Sequence, residues 1–202
     1  MFVTELSQLE ALYGQPGGAS IAKEAGFLTP AYRTMVEASP FVVMATAGPD
    51  GLDCSPRGDG PGFVRVADAR TLLLPDRRGN NRVDSLRNLL HDPRVGLLFL
   101  IPGKGETLRV NGRARICADA TLCGQFAVDG KPPRSVLVVA VESVYFQCSR
   151  AVVRSNLWAA PDAAGAQALP SAGTMLAEAS AGREGGAAYD AALAERVRQT
   201  LY

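Results

Sequence analysis

FVVMATAGPDGLDCS, residues 41–55, decides the fold class. Phe41-Val42-Val43-Met44-Ala45-Thr46 is apolar and rich in β-branched side chains, the composition of a strand with a buried face. Gly48-Pro49-Asp50-Gly51 is a hairpin turn, and the chain returns through Asp53-Cys54-Ser55. Moving outward, Gly58-Asp59-Gly60-Pro61-Gly62 makes another tight connection, after which residues 63–66 and 71–74 read as two strands around a turn at 67–70. Together these four strands read as an antiparallel meander. Beyond them Val83, Leu86 and Leu90 lie on one face of a short helix that Asp92-Pro93 closes. Three more strands follow at 95–101, 107–116 and 135–147, with a short helix near 118–126 between the last two. Many short strands, tight turns and few helices predict a β-barrel, since closure removes the exposed edges that an open sheet must protect.

The flanks are helical. Leu6, Leu9 and Tyr13 recur at helical spacing before Gly14-Gln15-Pro16-Gly17-Gly18 breaks the pattern. A second helix starts at Thr29, a good N-cap followed by Pro30, whose missing N–H costs nothing in the first turn, and ends before Pro40. At the other end residues 159–173 are rich in Ala and Gly and read as a surface loop. Leu193, Val197 and Leu201 mark a closing helix over 189–202 that packs on the barrel or on a partner. The expectation is one domain over 1–202: a helical extension (1–39), a barrel (40–148), and a C-terminal loop and helix (149–202).

Composition narrows the function. The 202 residues are 47% hydrophobic and 20% charged, as in an ordinary globular protein. With 21 Lys and Arg against 20 Asp and Glu, the net charge is +1, so no overall field draws in nucleic acid or an acidic membrane, and any anion must be met locally. The apolar runs are too short to span a bilayer. Cys54, Cys117, Cys123 and Cys148 show no CxxC spacing, and His91 is the only histidine, so a zinc site is not expected. Nothing at the N-terminus has the pattern of a signal peptide, and a reducing cytoplasm is the expected location.

The chemistry concentrates between Ser55 and Arg82. A phosphate group needs converging donors from backbone, amide and guanidinium groups, and a helix N-terminus adds a favourable dipole. Loop 76–82 carries Asp76, Arg77, Arg78, Gly79, Asn80, Asn81 and Arg82 and runs into the helix that contains Ser85. Ser55 and Arg57 lie on a strand that an antiparallel sheet can bring alongside. Arginines at a turn are commonly no more than a solvated face. Three of them with two asparagines at a strand-to-helix junction point instead to a phosphate-bearing ligand.

Several segments resemble one family. They are Cys54-Ser55-Pro56-Arg57-Gly58-Asp59, Pro75-Asp76-Arg77-Arg78-Gly79-Asn80-Asn81-Arg82, Asp84-Ser85-Leu86, Asp92-Pro93-Arg94-Val95-Gly96-Leu97-Leu98-Phe99 and Leu108-Arg109-Val110-Asn111-Gly112-Arg113-Ala114. With weaker matches at Trp158 and Leu169-Pro170-Ser171-Ala172-Gly173, they are similar to the flavin split-barrel proteins related to pyridoxamine 5′-phosphate oxidase. The resemblance implies a mainly β, FMN-binding split barrel with flanking helices, working as a homodimer with FMN across the subunit interface. It places Ser55 and Arg57 on the strand lining the flavin, and Asn81, Arg82 and Ser85 at the phosphate. Asp76 and Arg77 fall beside the ribityl chain, and Thr107 against the ring system.

The implied activity is that of an FMN-dependent oxidoreductase exchanging a hydride or electrons with a nicotinamide or small organic partner. The alternatives are a flavin-binding or sensing module without turnover, and a split barrel that takes haem or a deazaflavin. The Arg-x-His by which true pyridoxamine-phosphate oxidases read their substrate is missing near the C-terminus. Arg57 and Arg82 stand where the family's more usual lysines would. Arg57 or Arg109 is the candidate for the flavin's pyrimidine edge, Trp158 for stacking, and no catalytic acid or base stands out.

Overall fold

A computed structural model describes residues 2–160 and 163–202. Helices α1 (Leu6–Tyr13), α2 (Gly18–Ala22) and α3 (Pro30–Ala38) precede two hairpins, β1 (Phe41–Gly48) with β2 (Gly51–Gly58) and β3 (Arg65–Asp68) with β4 (Thr71–Pro75). Helix α4 (Asp84–His91) leads into β5 (Arg94–Leu100), β6 (Thr107–Cys117), α5 (Ala120–Gly124) and β7 (Val136–Gln147). Helices α6 (Arg150–Ser155), α7 (Ala163–Gln167), α8 (Ala172–Ala179) and α9 (Gly186–Thr200) follow.

The strands form one antiparallel sheet in the order β2-β1-β5-β6-β7-β4-β3. This is the mainly β split barrel with flanking helices that the sequence predicts. Strands β5, β6 and β7 run as a meander. The two hairpins do not extend it side by side, as the reading of residues 41–74 has it; they sit at opposite ends, so β2 and β3 are the sheet's edges and the barrel is split between them. Side-chain pattern explains why. In β4, Leu72 and Leu74 point inward and pair with Val139 and Leu137 of β7, all buried. In β2 the residues facing inward are Asp53, Ser55 and Arg57, a polar row suited to an edge.

The core runs across the sheet in rows set by register: Met44 opposite Leu97, Leu97 opposite Val110, and Val110 opposite Val144, with Val42, Phe99 and Leu108 forming the next row. Each of these large side chains removed from water contributes roughly 1.5–3 kcal/mol. Helix α3 adds Tyr32 and Val36; its first turn is capped as expected, the Thr29 hydroxyl accepting the Tyr32 N–H at 3.2 Å with Pro30 at the first position. Strand β6 shifts register between Asn111 and Gly112, and a methyl at Gly112 would come within 2.1 Å of the Ala140 carbonyl oxygen. Only glycine fits there.

Helix α4 forms where expected, but its buried side chains are Ser85 and Leu89, whereas Leu90 is 77% exposed. The helix is seated by Leu89 in the core, with Leu86 packed against it, and by polar contacts: Asn88 Nδ2 donates to Thr46 Oγ1 at 3.1 Å, and Gly48 makes room for it, a methyl there falling 2.1 Å from Asn88 Oδ1. The loop expected over 159–173 includes residues 161 and 162, which lie outside the described residues; α7 and the start of α8 occupy much of the rest. Helix α9 covers most of the expected closing helix and packs on α8, with Val197 and Leu201 about half exposed. Among the described residues no helix is long and apolar enough to cross a membrane.

Candidate functional site

Three segments face one another at the split. They are the end of β2 (Pro56, Arg57, Gly58), the loop from Asp76 to Val83 that enters α4, and the approach to β7 (Lys131 to Ser135). Between them lies a groove of about 600 Å³, into which Leu86 and Tyr202 also project. The β4–β7 register brings two of these banks together: Pro75 pairs with Val136, and the Asp76 N–H donates to the Ser135 carbonyl at 2.9 Å.

The alternation of β2 turns Asp53, Ser55 and Arg57 toward the first turn of α4, where Ser85 is 2% exposed. Ser55 donates its hydroxyl to Asp53 Oδ2 at 2.8 Å, Ser85 donates to the same oxygen, and Arg57 Nη2 donates to Ser85 Oγ at 3.1 Å. The hydroxyl bond from Ser85 chiefly holds the Asp53 carboxyl below its ordinary pKa against the opposing effect of burial, with help from Ser55 and the Arg57 and Arg82 charges. This network aims the Arg57 guanidinium at the groove. Ser85 sits deep, its hydroxyl held between Asp53 and Arg57.

Asp76 lies between Arg57 and Arg134. Burial raises its carboxyl pKa, the two guanidinium charges opposing the shift without cancelling it. Arg134 Nη1 donates to Asn81 Oδ1 at 3.3 Å, tying the β7 approach to the α4 loop. Asn81 and Val83 both take left-handed backbone, at φ +61° and +53°. For a β-branched residue such as Val83 that is strained, and such strain concentrates where a loop must hold a ligand.

Ser55, Arg57 and Ser85 are thus bonded together, and Arg57, Asp76, Arg77 and Asn81 line one groove. Arg77 is committed to the frame, its Nε donating to Asp59 Oδ2 at 2.7 Å and its Nη1 to the Phe126 carbonyl at 2.6 Å. Arg82 turns outward: its side chain is 74% exposed and pairs with Asp84 at 2.7 Å. Thr107 begins β6 opposite Gln147, at the other end of that strand from Cys117 and Val136, and does not line the groove. Arg109 donates to the Tyr145 hydroxyl at 2.8 Å, and Trp158 Nε1 donates to the Lys104 carbonyl at 2.7 Å.

The residues missed from sequence are Asp53, Lys131, Arg134 and Tyr202. Asp53 was findable, since it precedes Ser55 and Arg57 at the strand period of two. The other three reach the groove through long-range packing and carry no local mark.

The model of the pyridoxamine 5′-phosphate oxidase family matches residues 28–148, more than half of the chain. Among solved structures, HupZ of Group A Streptococcus aligns at 16% identity over 60% of this chain and 94% of its own, with a TM-score of 0.49. An FMN-binding protein from Syntrophomonas wolfei aligns at 10% identity over 70% of this chain and 95% of its own, with a TM-score of 0.43. A protein related to general stress protein 26, from Clostridium acetobutylicum, aligns at 18% identity over 57% of this chain and 84% of its own, with a TM-score of 0.45. No curated protein matches the chain.

Proposed function

Because the chain belongs to the pyridoxamine 5′-phosphate oxidase family, we propose that the groove holds FMN and that the protein is an FMN-dependent oxidoreductase, whose electron partner is a nicotinamide or a small organic molecule. The observation that carries this reading is the convergence of Arg57 and Arg134 on one groove whose remaining walls include Pro56, Val83, Leu86, Pro132 and Pro133. Two guanidinium groups and the Asn81 amide suit a phosphate; apolar walls suit a flat ring.

FMN would supply the carrier for hydride or electrons. The chain's own contribution is binding and orientation. Arg57, held by Ser85 and Asp53, meets phosphate charge together with Arg134, while Asn81 offers its amide. Asp76, between the two arginines, accepts hydroxyl hydrogen bonds from the ribityl chain when ionised. Arg77 steadies the wall beside it, and Arg82 adds charge at the periphery. In a homodimer with the cofactor at the interface, Thr107 would reach the flavin ring from the second copy of the chain. Exposed apolar side chains, Leu52 on the β2 edge and Leu90 on α4, give such a dimer surface to bury. The cytoplasm suits the four free cysteines. Pyridoxamine phosphate is not proposed as the substrate, since His91, the only histidine, is exposed at the end of α4.

Protein expressed with ample riboflavin should be yellow and release FMN identifiable by mass spectrometry, and bound FMN should be reduced by NADH or NADPH faster than free FMN. Colourless protein whose melting temperature does not respond to added FMN would overturn the cofactor assignment. Bound FMN with no accelerated reduction would leave a flavin-binding module in place of an enzyme.

A further inference from the structure

Tyr202 lines the groove although it lies 143 positions from the residue that holds it. Its hydroxyl donates to Asp59 Oδ1 at 2.7 Å, and Arg77 Nε donates to Asp59 Oδ2 at 2.7 Å. The Arg77 guanidinium also stands 5.7 Å from the centre of the Tyr202 ring. The Arg77 and Asp59 side chains are only 16% and 10% exposed, and both residues have further ties to the frame, Arg77 to the Phe126 carbonyl and Asp59 through its N–H to the Pro40 carbonyl at 3.0 Å. The receptor for Tyr202 is therefore part of the barrel and rigid.

What carries Tyr202 there is built differently. Helices α8 and α9 are locked to each other: Asp190 accepts the Ser171 hydroxyl at 2.6 Å and the Gly173 N–H at 2.7 Å, capping α8. The helices touch so closely that a methyl at Gly173 would fall 2.4 Å from the Gly186 carbonyl oxygen. The pair forms one stiff body. Yet α9 contains no buried residue, and its packing is on α8. With so little apolar surface removed from water, the hydrophobic effect does little to fix this body on the barrel. Polar and ring contacts at Tyr202 do that instead.

We propose that the α8–α9 pair is a strap latched across the groove by Tyr202, and that the Tyr202 ring is a ligand-contacting wall of the chamber. Opening the latch admits and releases the ligand; closing it shields one side. The identity of that ligand as FMN rests on the reading above, whereas the latch is a property of the chain alone.

The test uses the full chain as wild type, Tyr202→Ala and Tyr202→Phe. Hydrogen exchange of the apoprotein should be faster over the last turn of α9, whose end Tyr202 pins, in Tyr202→Ala, with Tyr202→Phe intermediate and strands β5 to β7 unchanged, which also verifies folding. FMN dissociation, followed by recovery of flavin fluorescence, should speed up about tenfold in Tyr202→Ala and less in Tyr202→Phe, the size expected for losing a charge-assisted hydrogen bond and a ring contact. Equal α9 exchange in all three proteins overturns the latch. Faster exchange with unchanged FMN release overturns the wall. If the wild type takes up no FMN, the cofactor assignment falls and α9 exchange still decides the latch.

Discussion

Arg57 is aimed by Ser85, and Ser85 by Asp53. Replacing Arg57 with alanine leaves phosphate charge partly unpaired, and FMN should bind more weakly by about 1.5–3 kcal/mol, roughly 10- to 150-fold, as read by quenching of flavin fluorescence. Arg82→Ala should have a smaller effect, because that guanidinium faces Asp84 and solvent. Asp76 makes a prediction of opposite sign for stability. Burial raises its pKa, so the folded chain holds the proton more tightly than the unfolded chain, and the stability this contributes is lost as pH rises through the folded value. At neutral pH the ionised carboxylate is a liability. Thermal melts of Asp76→Asn should therefore lie above the wild type near neutrality and converge with it as pH falls toward 3.8, the ordinary aspartate value. Val83 carries left-handed strain at the start of α4, and Val83→Gly should raise unfolding stability by about 1 kcal/mol in denaturant titrations. At this scale the grouping of Ser55, Arg57, Asp76 and Asn81 was legible, because they sit on a strand end and its neighbouring loop. Arg134 was not: its place beside Asn81 follows from strand register, which local sequence does not state.

Helix α4 shows how an element can be foreseen and its orientation missed. Its length and its stop at Asp92-Pro93 were readable, but of the apolar pattern Val83, Leu86 and Leu90 only Leu86 packs on the core, beside Leu89, and Leu90 is exposed. Polar contacts, Asn88 with Thr46 and Ser85 with Asp53, add to that packing and fix the helix's rotation. Gly48 is the space those contacts need. Gly48→Ala should push α4 away from β1, lower stability by about 1–3 kcal/mol in the same titrations, and weaken FMN by moving Ser85 and with it Arg57. Strands β5 to β7 were legible nearly to their ends because they alternate or run apolar between clear turns. The placing of β2 and β3 at opposite edges was not, since it depends on β4 choosing β7 as its partner.

For the molecule as a whole, leaving β2 as an edge strand opens its end to the groove. The polar row Asp53, Ser55 and Arg57, unsuited to a core, finds a place on the edge strand β2, where Arg57 lines the groove and Asp53 and Ser55 bond to Ser85 behind it. Loop 76–83 and the approach to β7 supply the other banks, and Tyr202, just beyond α9, adds its side chain to the lining. The central claim is that this groove recognises a flavin through its phosphate. Parallel titrations of the apoprotein with FMN and with riboflavin, which share the ring and ribityl chain and differ only in that phosphate, test it most directly. Binding of FMN at least tenfold tighter than riboflavin, with the difference largely lost in Arg57→Ala, is the predicted result. Equal affinity for the two, or no binding of either, would contradict it.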